Sequence, residues 1–225
     1  MNQKTAMKLF GLLGLLMLLS CGYADRHRNS SSCEQALVDS LEVRVQDSLF
    51  SNVHYSRSQL LEALTQTQDS LVYYRLLALY GKTFFVSSDF DSILYNNRRV
   101  KEFSRNASQS SESLQSPRWN DVLSDVYNIE GNVWMQLNRP DSAIIDYKKA
   151  YGYRLEGKKL HLLPDICINI ADAYLHRSDL AHTASYYRRA LFLCDSLRLS
   201  EHTKFPVYYG LGQTYMDLRD FDLSN

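Results

Sequence analysis

Apolar residues recur along this chain at helical spacing. Leu37, Leu41 and Val45 fall four apart, and Leu60, Leu61 and Leu64 form a stripe, so 33–50 and 58–67 are expected to be amphipathic helices. Further on, four segments place an aromatic residue three positions after a small one. The pairs are Gly81 with Phe84, Gly131 with Trp134, Ala171 with Tyr174 and Gly212 with Tyr215. Residues three apart share a helical face. Downstream of the second pair come Ala143, Tyr147 and Ala150, and downstream of the third come Tyr187 and Ala190. The small residues are spaced by 50, 40 and 41 positions. Self-similarity of this kind is the signature of stacked helical repeats. One stretch interrupts it: residues 104–116, rich in Ser and Asn and followed by Pro117, read as a loop.

These residues carry a resemblance to the tetratricopeptide-repeat (TPR) family, whose helix–turn–helix unit is about 34 residues long. The family places a large, a small and an aromatic residue along the first helix of each unit, then a small residue, an aromatic and Ala along the second. Residues 124–157 supply Tyr127, Gly131, Trp134, Ala143, Tyr147 and Ala150. Residues 164–197 supply Cys167, Ala171, Tyr174, Thr183, Tyr187 and Ala190, with Cys167 and Thr183 as departures. Residues 74–107 fit less well, because Ile93 and Val100 stand where small residues belong. A partial unit, 205–225, offers Tyr208, Gly212 and Tyr215. The resemblance implies an all-α TPR solenoid, a right-handed superhelix of antiparallel helix pairs spanning 74–225, with 34–73 as N-terminal capping helices. Residues 220–225 would only begin the second helix of the last unit. A solenoid needs a polar cap over its final apolar face, so the chain is expected to be a piece of a longer protein.

The N-terminal stretch has a different pattern. Lys4 and Lys8 precede an uncharged run, residues 9–19, of eleven apolar positions. As a helix that run is about 16 Å long at roughly 1.5 Å per residue, short of a bilayer core of about 30 Å. A basic start, a short apolar run and a small residue describe a secretory signal, here 1–20. The run ends Leu18-Leu19-Ser20-Cys21, which resembles the lipobox of bacterial lipoproteins. The resemblance implies that Cys21 becomes the mature N-terminus and carries acyl chains, with 21–33 as a polar tether. The expected location is the bacterial cell envelope, membrane-anchored and facing the periplasm.

Charge and chemistry narrow the function. The whole chain has 25 basic and 25 acidic residues; losing 1–20 leaves 23 against 25, a net −2. That balance argues against a nucleic-acid partner. No phosphate-binding, dinucleotide, zinc-protease or nucleophile-elbow motif occurs, and the six histidines form no i,i+4 metal pair. No catalytic residue, metal or cofactor is therefore expected. Asp91-Ser92 and Asp141-Ser142 sit where they can cap second helices. Cys167 and Cys194 lie at neighbouring ends of one unit, where a bridge is conceivable and two small buried hydrophobes are the plainer reading.

In the TPR family the partner lies along the concave face of the first helices. Carried over by register, that face includes Lys82 and Phe85, then Asn128, Asn132, Met135 and Gln136. The next units add Asp172, Leu175 and His176, then Tyr209 and Gln213. A mixed surface of amides, acids and apolar groups suits a peptide or a partner helix. Asn132 and Asn169 match two positions of the subclass that grips a C-terminal carboxylate, but Asn128, Pro206 and Gly210 stand where its basic residues belong. That clamp is not expected. The sequence thus points to a non-catalytic TPR lipoprotein scaffold for a protein or peptide. The alternative is the extracytoplasmic sensor part of a longer signalling protein, such as a histidine kinase, diguanylate cyclase or DNA-binding regulator.

Overall fold

The computed structural model of the protein describes residues 29–48, 52–107 and 116–224. The described chain is all-helical, with no strand. It divides into two compact units, one ending at Asp89 and the other beginning at Phe90. The division falls inside the stretch 74–107.

The first unit holds α1 (Asn29–Ser48), α2 (Val53–Gln66), α3 (Ser70–Lys82) and a 3-10 helix (Thr83–Ser87). Its core joins Val38, Leu41 and Val45 of α1 to Leu60 and Ala63 of α2 and to Val72 and Leu76 of α3. Of the expected stripes, Leu41, Val45 and Leu60 are therefore in the buried face, Leu37 and Leu64 pack against it, and Leu61 is 47% exposed. Asn52 caps α2 by accepting the Tyr55 N–H, and Asp69 caps α3 by accepting those of Leu71 and Val72. Arg57 fixes the end of the unit: it donates to the Thr83 carbonyl and Ser87 hydroxyl, and its guanidinium lies 4.2 Å from the Phe84 ring centroid.

The second unit comprises α4 (Phe90–Ala107), α5 (Pro117–Gln136), α6 (Pro140–Leu155), α7 (Leu163–His176), α8 (Leu180–Ser196) and α9 (Glu201–Ser224). Each helix packs on the next in chain order. Asn138 (φ 55°) and Ser178 (φ 57°) occupy the left-handed region in the short turns after α5 and α7, and stand forty residues apart. Gly131 of α5 lies directly beneath the Tyr147 ring of α6. At the same register forty residues on, Ala171 and Tyr187 share a core with Cys167, Ala190 and Cys194. Tyr187 makes its own close approach on Gly210 of α9.

Several expectations need correction. Helix α1 begins at Asn29, inside the stretch read as a tether. Lys82 ends α3, so Phe85 sits on the 3-10 turn and not on a regular helix. Helix α4 runs to Ala107, past the expected start of the loop, because its last turns have partners: Ser104 accepts the Trp119 indole N–H at 3.0 Å, and Phe103 meets Trp119 edge-on. Asp141 does not cap α6, whose N-cap residue makes no side-chain bond; it pairs with Arg177 at 3.0 Å instead. Helix α9 is continuous through Asp220, so no second helix starts there.

The fourth unit is also out of register by one residue. Tyr208 and Tyr215, expected inside, are 49% and 48% exposed, and Gly212 faces open space. Val207, Leu211 and Thr214 are buried in their place. These continue the forty-residue spacing from Cys167, Ala171 and Tyr174. The Gly-x-x-Tyr at 212–215 matched by residue type, whereas the helix packs by period.

A groove between successive repeats

A groove of about 500 Å³ opens in the second unit. Met135 and Gln136 at the end of α5 form one side. Asp172, Leu175 and His176 of α7 form the other, with Asn169 below them and Tyr147 of α6 closing the wall. Met135 and Leu175 are forty residues apart, as are Gln136 and His176. The groove is thus lined by equivalent positions of two consecutive repeats. Five of the expected site residues meet here: Met135, Gln136, Asp172, Leu175 and His176.

The polar groups of the groove are held by bonds that repeat with the same period. Tyr147 donates its hydroxyl to Asn132 at 2.7 Å, and Tyr187 donates its hydroxyl to Asp172. Asn169 donates its amide N–H to the Asn128 side-chain carbonyl at 2.9 Å, tying α7 to α5. Burial raises the Asp172 carboxyl above the ordinary carboxylate range, while the Tyr187 bond and the nearby His176 oppose that rise. Burial also raises the Tyr147 and Tyr187 phenols, so both remain donors at neutral pH.

The other expected residues lie elsewhere. Tyr209 is exposed on α9 and Gln213 is half-buried, and neither lines the groove. Lys82 and Phe85 are half-buried parts of the first unit. Cys21 lies outside the described residues. The concave-face register does not include Tyr147, a core aromatic by pattern, or Asn169, which is one residue away from a surface position. Their polar ends reach the groove because the Tyr147 hydroxyl bonds to Asn132 and the Asn169 amide to Asn128, both on α5.

No three of His, Cys, Asp and Glu converge as metal ligands among the described residues, and no described helix is long and apolar enough to cross a membrane. Cys167 and Cys194 are both fully buried and unbonded, in one core cluster. No protein-family model matches the chain, and no curated protein matches it. In fold it is similar to BtubC (BKLC) from P. vanneervenii, a crystal structure, with a TM-score of 0.67 over 86% of this chain and 78% of that one. The two are 17% identical, so the likeness is one of fold.

Proposed function

We propose that the chain is a non-catalytic interaction scaffold of the TPR type, which holds a protein or peptide partner in the groove between α5 and α7 and is anchored to the bacterial envelope through lipid on Cys21. The observation that carries this reading is the forty-residue register. It repeats the left-handed turn residues, the Tyr-hydroxyl bonds and the residues that line the groove, so the groove is a product of the repeat itself. Amides and a carboxylate flanked by Met135 and Leu175 offer a peptide both backbone hydrogen bonds and apolar contact. The basic start, the apolar run and Leu18-Leu19-Ser20-Cys21 support the anchor.

Displayed random peptides, panned on the full chain and on Leu175→Glu, test the binding claim. Peptides that bind the wild type and lose at least about tenfold in affinity for the variant, about 1.4 kcal/mol, support it. Binders indifferent to the groove, or none at all, overturn it. The anchor has a separate test. A fatty-acid analogue fed to the native host labels the wild type and not Cys21→Ala; absence of label from both removes the lipid from the proposal.

A further inference from the structure

Asp172 is the point at which the groove departs from what packing requires. In the preceding repeat the same register position is Asn132, a neutral amide, and it accepts the same tyrosine hydroxyl. The hydrogen bond therefore needs no charge. Yet α7 places a carboxylate there, partly withdrawn from water. Tyr187 is its one hydrogen-bond partner, and no Lys or Arg pairs with it among the described residues. It is the only acid lining the groove, and His176 at the rim is the only basic group. A desolvated carboxylate without a cation is costly to the fold, and a ligand that supplies the cation recovers that cost on binding.

We propose that the groove selects an extended peptide segment carrying a Lys or Arg side chain, whose cation pairs with the Asp172 carboxylate while a neighbouring aliphatic side chain lies against Met135 and Leu175. This rests on the reading of the groove as the partner site. The Asn169 amide, which lines the groove, fits the same ligand. Once Asn169 has donated one N–H to Asn128, its second N–H still donates and its side-chain carbonyl still accepts. Together they offer a peptide backbone one acceptor and one donor. The preference is opposite in sign to a carboxylate clamp, consistent with the absence of Lys and Arg from the lining.

The test uses the labelled full chain on immobilised dodecapeptide pools, each random except for one central residue fixed as Lys, Arg, Gln or Glu. The Lys and Arg pools are expected to bind about tenfold more tightly than the Gln pool, as a charge-assisted bond implies, with the Glu pool weakest. Asp172→Asn should bring all pools to the Gln level, and Asp172→Glu should keep the order. Added salt should narrow the gap. Thermal melts of each variant confirm that it is folded. Pools that bind alike yet all weaken with Leu175→Glu overturn the cation preference and leave the groove in place. Binding that ignores Leu175→Glu overturns both. Loss of the Lys preference only in variants whose melting is lowered also overturns the assignment to Asp172.

Discussion

A Cβ on residue 131 would stand 2.3 Å from the Tyr147 ring, and a ring packed in the core at 2% exposure has little room to retreat. Gly131→Ala is therefore expected to lower stability by about 1–3 kcal/mol, the usual range for overpacking, read as a lower urea midpoint with an unchanged slope. The third repeat tolerates Ala171 at the same register because Tyr187 finds its space against Gly210 instead. Asp172 carries the opposite expectation. Its folded pKa is raised, chiefly by burial, so ionisation in the folded state costs stability above that pKa, and the cost vanishes below the unfolded carboxylate range. Asp172→Asn keeps an acceptor for Tyr187 and removes the charge. At neutral pH it should melt about 2–4 °C higher, and the gap should close as the pH falls toward about 4. A variant more stable yet without preference for a cationic peptide is the usual relation between a site and its fold.

Among the helices, the joint between α5 and α6 depends on one buried ion cluster. Arg154, 1% exposed at the end of α6, donates to Asp121 at 2.8 Å and also to Asp125, both on α5. Asp121 in turn accepts the backbone N–H groups of Lys158 and Lys159, which fixes the turn leading to α7. Gly157 is required there, since a Cβ would meet the Asp121 carboxylate at 2.2 Å. Arg154→Ala strands the buried Asp121, while Asp125 keeps 38% of its side chain in water, and should cost about 3 kcal/mol in denaturant melts; Asp121→Ala combined with it should cost less than the sum of the two. This cluster could not be read from the sequence. In the next repeat the register holds His161, Asp165 and Cys194, so no pattern marks it, and a charge at helical spacing usually means a solvated face. The hydrophobic spacing of α1 and α2 was legible in part, because four-residue periodicity marks Leu41, Val45 and Leu60 as core, while Leu61 turns out exposed. Met135, Gln136, Leu175 and His176 were named by the concave-face register that the TPR resemblance implies, and they line one groove. The slip in α9 arose because Gly212 and Tyr215 imitate the motif while Val207, Leu211 and Thr214 obey the period.

At the level of the molecule, the division at Asp89 and Phe90 separates two sets of contacts, each with its own core. Both tryptophans, Trp119 and Trp134, belong to the second. Indole emission thus reports that unit alone. Gly131→Ala is expected to shift the emission midpoint while amide exchange in α2 and α3 keeps wild-type protection. Equal loss of protection there would mean that the two open together. The buried thiols extend this view. Burial pushes Cys167 up to about 12 and raises Cys194 as well, so neither presents a thiolate while α7, α8 and α9 remain packed. With Cys21 and Cys33 both replaced by Ser, alkylation of the remaining two sulfurs becomes a clock for separation of the last repeats. The core of the second unit therefore carries its own chemical reporter of transient opening, and one that oxidants can reach only when the helices part.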